Sequence, residues 1–342
     1  MKKILFASAF LALSIYGFAQ TKSQYKIANK FHVDGDLGWD YIACDDSANR
    51  LYVSHGTMVQ VLDLNNGGKV IGTIAGLNGV HGIAVASDLN KGFITSGKDS
   101  VVAVLDLTTF ATIAKVKVTG AGPDAILYDK FTHKVFTFNG HSNNSTVIDA
   151  KTNAVIGTID LPGKPEFAVA DGNGKVYDNL EDKNMICVIN ATTMKVETTW
   201  SIAPGDGPSG LAIDTKNHRL FSVCDKLMVI VNADNGKIVT TLPIGDRVDA
   251  TAFDVSLNRV YSSNGDATLT VVQEDGPDKF TVLENVATAK GARTCALNSK
   301  THHVYLPSAE YGAPPAPTAD KPKPKPPIKP NSFQILDVEY VK

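Results

Sequence analysis

A small or aliphatic residue followed by an aromatic one recurs seven times along the chain, as Leu51-Tyr52, Gly92-Phe93, Val135-Phe136, Val176-Tyr177, Leu220-Phe221, Val260-Tyr261 and Val304-Tyr305, with steps of 41, 43, 41, 44, 40 and 44 residues between the aromatics. A repeat of this length marks a propeller or solenoid and overrides the estimate of about two domains that length alone would suggest. Each unit carries the same punctuation. The fifth reads GLAID, a polar turn TKNH, RLFSV, a loop, MVIVN, a turn ADNG and KIVTTLPI. Alternating apolar residues bounded by Asn, Asp, Gly and Thr clusters are half-buried antiparallel strands joined by tight turns. Asp63, Asp106, Asp149, Asn190, Asn232 and Asp337 follow third strands, where a short polar side chain can bond the turning backbone.

Four short strands per unit and seven units predict an all-β, seven-bladed β-propeller, an architecture that leaves few exposed sheet edges. The seventh unit supplies only three strands, ending in NSFQILDVEYVK, while YKIANKFHVDG stands as an orphan strand ahead of the first unit. The orphan is therefore expected to complete the last blade, so that residues 25–342 form one propeller domain closed by its own two ends. Between the second and third strands of the seventh unit lies SAEYGAPPAPTADKPKPKPPIKPN, whose prolines at 313–330 impose extended geometry on an inserted loop. Its lysines Lys321, Lys323, Lys325 and Lys329 make it locally basic.

The first 19 residues place Lys2 and Lys3 ahead of an apolar run and end in Gly17-Phe18-Ala19, the pattern of a secretory signal peptide. The expected mature protein is periplasmic or secreted, with no membrane span after the leader. Cys44, Cys187, Cys224 and Cys295 could pair in such a compartment, but their wide spacing favours buried free thiols. A net charge of −2 with both signs interspersed gives no basic track for a nucleic-acid backbone. A monomer suffices for a ring that closes on itself.

Segments such as NRLYVSHGTMVQVLDLNNGGKVIGTI and NAVIGTIDLPGKPEFAVADGNGKVY resemble the YVTN-type repeats of exported bacterial propellers, the YncE-like family. The resemblance covers all seven units and implies the fold. Related propellers serve as binding scaffolds, lactone hydrolases or nucleic-acid binders, so function has to be argued from a site.

In such a ring the innermost strands start at one face, the upper one, around the mouth of the central channel. Aligning DYIACD, HGIAVA, DAILYD, EFAVAD, SGLAID, DATAFD and RTCALN puts Asp40, His81, Asp124, Glu166, Ser209, Asp249 and Arg293 at one equivalent position. Seven unlike polar groups at one position of a repeat are costly to bury without partners. They either solvate the channel or form a ligand site. Upper loops add His55, His141, Lys164 and Arg247, the last two as partners for a carboxylate or phosphate. His55, His81 and His141 with Asp40 or Asp124 offer nitrogen and oxygen donors for a divalent metal. His133, His218, His302 and His303 fall in lower turns or at their edge. GDGPSG and GAGPDA enter strands rather than opening helices, so neither is a phosphate loop. The expected function is a binding or interaction propeller for a small molecule or an extracytoplasmic macromolecule. The alternative is a metal-assisted hydrolase or lyase resembling lactone-hydrolysing propellers.

Overall fold

The computed structural model describes residues 23–35, 37–318 and 322–341. The expected leader, residues 1–19, and Lys321 lie outside the described residues. Among these residues no helix is long and apolar enough to cross a membrane.

The strands assemble into seven four-stranded antiparallel sheets, each in sequence order except the last. Blade 1 consists of Trp39–Asp45, Arg50–His55, Met58–Asp63 and Lys69–Ile74. The later innermost strands are Val80–Ala86, Pro123–Asp129, Pro165–Ala170, Leu211–Asp214, Val248–Asp254 and Ala296–Asn298. In blade 7 the order runs from the N-terminal strand Tyr25–His32 through Gln334–Tyr340 and His303–Ser308 to Ala296–Asn298. Tyr25 pairs with Tyr340 and His32 with Gln334, so the orphan strand closes the ring as its sequence position requires.

Strand alternation explains the recurring pair. Neighbouring residues of a strand face opposite sides of the sheet, so the aliphatic residue and the aromatic of one blade enter different seams. Phe93 therefore packs with Val135, Phe136 with Val176, Tyr177 with Leu220, Phe221 with Val260, Tyr261 with Val304 and Tyr305 with Leu51. All seven aromatics are buried. The core is thus seven seams rather than one centre, and every blade depends on both neighbours.

Turn chemistry fixes the lower face. Asp63, Asp106, Asp149, Asn190 and Asn232 accept backbone N–H groups of the turns that follow them. Asp337 departs from this pattern: it lies within the strand Gln334–Tyr340 and instead accepts from Asn29 Nδ2 at 2.9 Å and His303 Nδ1 at 2.6 Å. The strand continues past Asp337 to Tyr340, so its carboxylate meets the closing strand rather than a turn. Just before each second strand stands a residue in the left-handed region, namely Asn49, Asn90, His133, Gly174, His218, Asn258 and His302. Asn and His tolerate this conformation better than most side chains, which gives the lower-turn histidines a backbone role.

The next residue is basic at every repeat, and in most blades it latches the neighbouring one. Arg50 donates to the Leu107 carbonyl, Lys91 to Ala150, Lys134 to Ala191, Arg219 to Pro277 and Arg259 to the Tyr25 hydroxyl. All four cysteines are free, and burial pushes the thiols of Cys187, Cys224 and Cys295 up to about 12.

The inserted loop is exposed over residues 313–318. Its base is tied: Tyr311 bridges Ile328, Gly312 donates to the Pro327 carbonyl, and Lys329 pairs with Glu310 at 3.0 Å. Ile328 packs against the seam between blades 7 and 1.

Candidate functional site

The upper loops are held by a repeated backbone clamp. In blades 2 to 6 the loop after the second strand donates to the connection that enters the same blade, as Gly97 to Gly79, Gly140 to Gly122, Glu181 to Lys164, Asp225 to Asp206 and Gly265 to Arg247. Below this clamp the ladder between first and second strands slips its register, between Trp39 and Ile42, Val80 and Ile83, Pro123 and Ile126, Pro165 and Ala168, and Val248 and Ala250. Five of the seven aligned positions, Asp40, His81, Asp124, Glu166 and Asp249, sit inside these bulges. A bulge inserts an unpaired residue and re-aims its side chain.

The backbone groups freed by the bulges are met by buried hydroxyls of the second strands. Ser54 accepts from the Asp40 amide at 2.9 Å, and Thr95 accepts from the Gly82 amide while donating to the Asp124 carbonyl, both at 2.7 Å. Any side chain at Gly82 would strike the Asp124 carbonyl, 2.7 Å from its Cβ, so glycine lets the inner strands of blades 2 and 3 approach. Thr294 donates to the Asp40 carbonyl across the closing seam.

The side chains themselves link blade to blade. His81 Nδ1 donates to Asp40 Oδ2 at 2.5 Å and lies 3.6 Å from Asp124 Oδ1. Ser209 donates to Asp249, and Arg293 Nη1 pairs with Asp249 Oδ2 at 2.7 Å. Lys164 stands 3.6 Å from Glu166 and bonds Glu181. Arg247 is exposed and donates to the Gly265 carbonyl, holding its own loop rather than the ring. Beneath these groups Tyr41 of blade 1 reaches Phe167 of blade 4, with ring centroids 5.4 Å apart, and gives the mouth an apolar floor. Trp39 instead stacks on Phe333, 5.2 Å away at the blade 7 junction.

Crowding sets the protonation. Burial, then the neighbouring Asp40, lifts Asp124 to about 6. Burial, then Asp124 and Glu181, lifts Glu166 to about 8 against the opposing Lys164, so this carboxyl is largely protonated at neutral pH and can donate. Burial raises Asp249 to about 6 although Arg293 opposes it. The hydrogen bond to Asp40 outweighs burial at His81 and raises its imidazole. Burial raises the Tyr41 phenol, and Glu166, Asp124, Asp40 and Asp249 add to it.

Of the five residues expected to supply metal donors, the structure brings Asp40, His81 and Asp124 together and leaves two out. His55 is buried at the end of its strand, with Nδ1 2.8 Å from Gln60 Oε1, Nε2 donating to the Leu37 carbonyl at 2.9 Å and its ring 4.3 Å from Phe333. It is a core histidine, because the second strand runs one residue further than its loop-like sequence suggests. His141 is exposed and packs over Gly122. Tyr41 is conspicuous in the sequence only as a neighbour of Asp40, and nothing there marks the roles of Ser54 and Thr95, hydroxyls on the second strands opposite the bulges of blades 1 and 2.

On the opposite face a cavity of about 200 Å³ at the seam of blades 7 and 1 is lined by Asn29, Phe31, Asn49, His303, Tyr305 and Asp337 among others. Within it Asp337 accepts from both Asn29 Nδ2 and His303 Nδ1.

No protein-family model matches the chain, and no curated protein matches its sequence. Solved structures match it in shape. A structure of U3-55K superposes with TM-score 0.75 at 9% identity, over 90% of this chain and 98% of that one. A chain from a mitotic checkpoint complex gives 0.75 at 13%, over 100% and 99%. A chain of hydrazine synthase from Kuenenia stuttgartiensis gives 0.71 at 17%, over 85% and 96%. At these identities the likeness is one of fold, a seven-bladed propeller with WD40-like neighbours.

Proposed function

We propose that the protein is an exported binding propeller of the YncE-like, YVTN-repeat kind, monomeric and working in the periplasm or outside the cell, which takes a small polar ligand at the upper mouth of its channel. The propeller fold suggests an interaction scaffold, and one of its neighbours in shape is a chain of a mitotic checkpoint complex. The observation that carries the finer reading is that five bulges aim Asp40, His81, Asp124, Glu166 and Asp249 at one mouth over the Tyr41–Phe167 floor. In blades 1 and 2 the backbone pairs lost to the bulge are replaced by the buried hydroxyls of Ser54 and Thr95, an investment that a channel needing only hydration does not require. Ligand cationic or hydroxyl groups suit the Asp40–Asp124 side, and an anionic group suits Arg293 and Lys164. A nucleic-acid backbone would meet carboxylates here.

The test is a thermal-shift screen of polar metabolites run in chelator, with each stabilising compound repeated on Glu166→Gln, Arg293→Ala and the lower-turn variant His218→Ala. Stabilisation lost in the two mouth variants and kept in His218→Ala supports the reading. Compounds that stabilise all three variants equally, or none that stabilise the parent, would reject it. A second reading, metal-assisted hydrolase or lyase chemistry, draws on the protonated Glu166 carboxyl as an acid beside Asp124. Turnover of simple lactones that disappears in Glu166→Gln is its signature.

A further inference from the structure

We infer that Asp40, His81 and Asp124 form a binding site for one divalent transition cation of the zinc or manganese class, seated in the mouth on the side of blades 1 to 3. The inference rests on the reading of the mouth as the ligand site and adds an ion to it. One donor atom from each residue lies within 4.8 Å of the other two. These residues occupy the same repeat position on three consecutive inner strands, so the spacing is set by the ring and its bulges rather than by flexible loops.

A second observation points to a missing ligand. The Asp124 side chain is 32% exposed, but its Oδ1 is turned away from solvent and accepts no hydrogen bond from the described residues, although it lies only 3.6 Å from His81 Nδ1. Buried carboxylate oxygens are almost always satisfied, and a cation beside Nδ1 would satisfy this one. The imidazole N–H now stands between two carboxylates, doing in part what a metal ion would do. On binding, Nδ1 gives up that proton to solvent and turns its lone pair to the metal, while the carboxylates supply one oxygen each.

The geometry is close to ready. Tetrahedral zinc with bonds of about 2.1 Å separates its ligand atoms by roughly 3.4 Å. The distance from Nδ1 to Asp124 Oδ1 is already 3.6 Å, and that to Asp40 Oδ2 must open from 2.5 Å. Two carboxylates and one imidazole suit zinc or manganese, whereas calcium asks for six to eight oxygens. Three protein ligands leave at least one coordination position for water or a bound compound. The backbone behind the set is held by Ser54, Thr95 and Thr294, which limits rearrangement on binding.

The test uses the mature full chain stripped with chelator and titrated calorimetrically with zinc and with manganese, together with crystals soaked in zinc and measured at its absorption edge. The expected results are one ion per chain, an anomalous peak between His81 Nδ1 and Asp124, and at least a hundredfold weaker binding in Asp124→Asn and His81→Gln but not in His133→Ala. An anomalous peak elsewhere, no saturable uptake, or unchanged affinity in both mouth variants would overturn the inference. The soaked parent crystal decides the matter even if either variant fails to fold. Should the metal inference fail while compounds still stabilise the parent in chelator through Glu166 and Arg293, the binding mouth survives without it.

Discussion

Removing the closing strand tests the architecture where it is most exposed. Tyr25, Phe31 and Val33 are buried in the seams flanking blade 7, and burying side chains of this size is worth about 1.5–3 kcal/mol each, or roughly 5–9 kcal/mol together. That is comparable with the whole stability of a typical domain, about 5–15 kcal/mol, and the truncation also uncovers the edge of Gln334–Tyr340. A chain beginning at Asp34 should therefore be unfolded or aggregated under conditions where one beginning at Ser23 is native. The boundary matters, because Gln24 already bonds Glu284, Arg259 and Val341. A finer probe is Tyr25→Phe, which leaves the ring in place but removes the hydroxyl that accepts from Arg259 at 2.7 Å and meets Tyr261 at 3.0 Å. Stranding those partners should cost about 1–3 kcal/mol, read as a lower urea midpoint at unchanged slope. Equal midpoints for chains starting at Ser23 and Asp34 would refute closure by this strand.

Thr95→Val should leave the blades folded but lower zinc affinity at the mouth, because it frees the Gly82 amide and the Asp124 carbonyl; Thr95→Ser should restore it, and an unrestored loss would mark Thr95 as packing only. The closing seam should be pH dependent through His303, whose imidazole the Asp337 hydrogen bond raises. A raised imidazole contributes stability fully below its ordinary value of about 6.5 and loses it as pH climbs through the higher folded value. His303→Gln should accordingly lower the melting temperature more at pH 6 than at pH 8, and an equal drop at both would exclude the charged pair. Shortening the inserted loop within 313–326 should leave the melting temperature nearly unchanged, whereas Ile328→Ser should lower it; a loss of folded protein on shortening would mean that the exposed segment is structural.

The seven blades, their order and the closing strand were legible because a seam that needs an aromatic from one blade and an aliphatic from the next stamps both on every repeat. The ring of Asp40 to Arg293 was legible for the opposite reason: one position varied in charge while its neighbours did not. The bulges were hidden, since a one-residue slip leaves the alternation on either side intact and depends on pairing with a strand ten or more residues away. His55 looked like a loop residue because its partners Leu37, Gln60 and Phe333 come from three separate parts of the chain. The contact of Tyr41 with Phe167 spans blades 1 and 4, and no local pattern announces it. A basic residue opens the second strand of all seven repeats and latches the next blade in five of them, but a charge at a strand end reads first as a solvated turn.

The most direct measurement is a crystal structure of the protein purified from its native source without chelator. Ordered density for an ion or small molecule inside the ring of Asp40, His81, Asp124, Glu166, Asp249 and Arg293, resting above Tyr41 and Phe167, is the predicted result. A mouth filled only by water, with a co-purified molecule seated instead in the cavity beside His303 and Asp337, would contradict it and move the site to the opposite face.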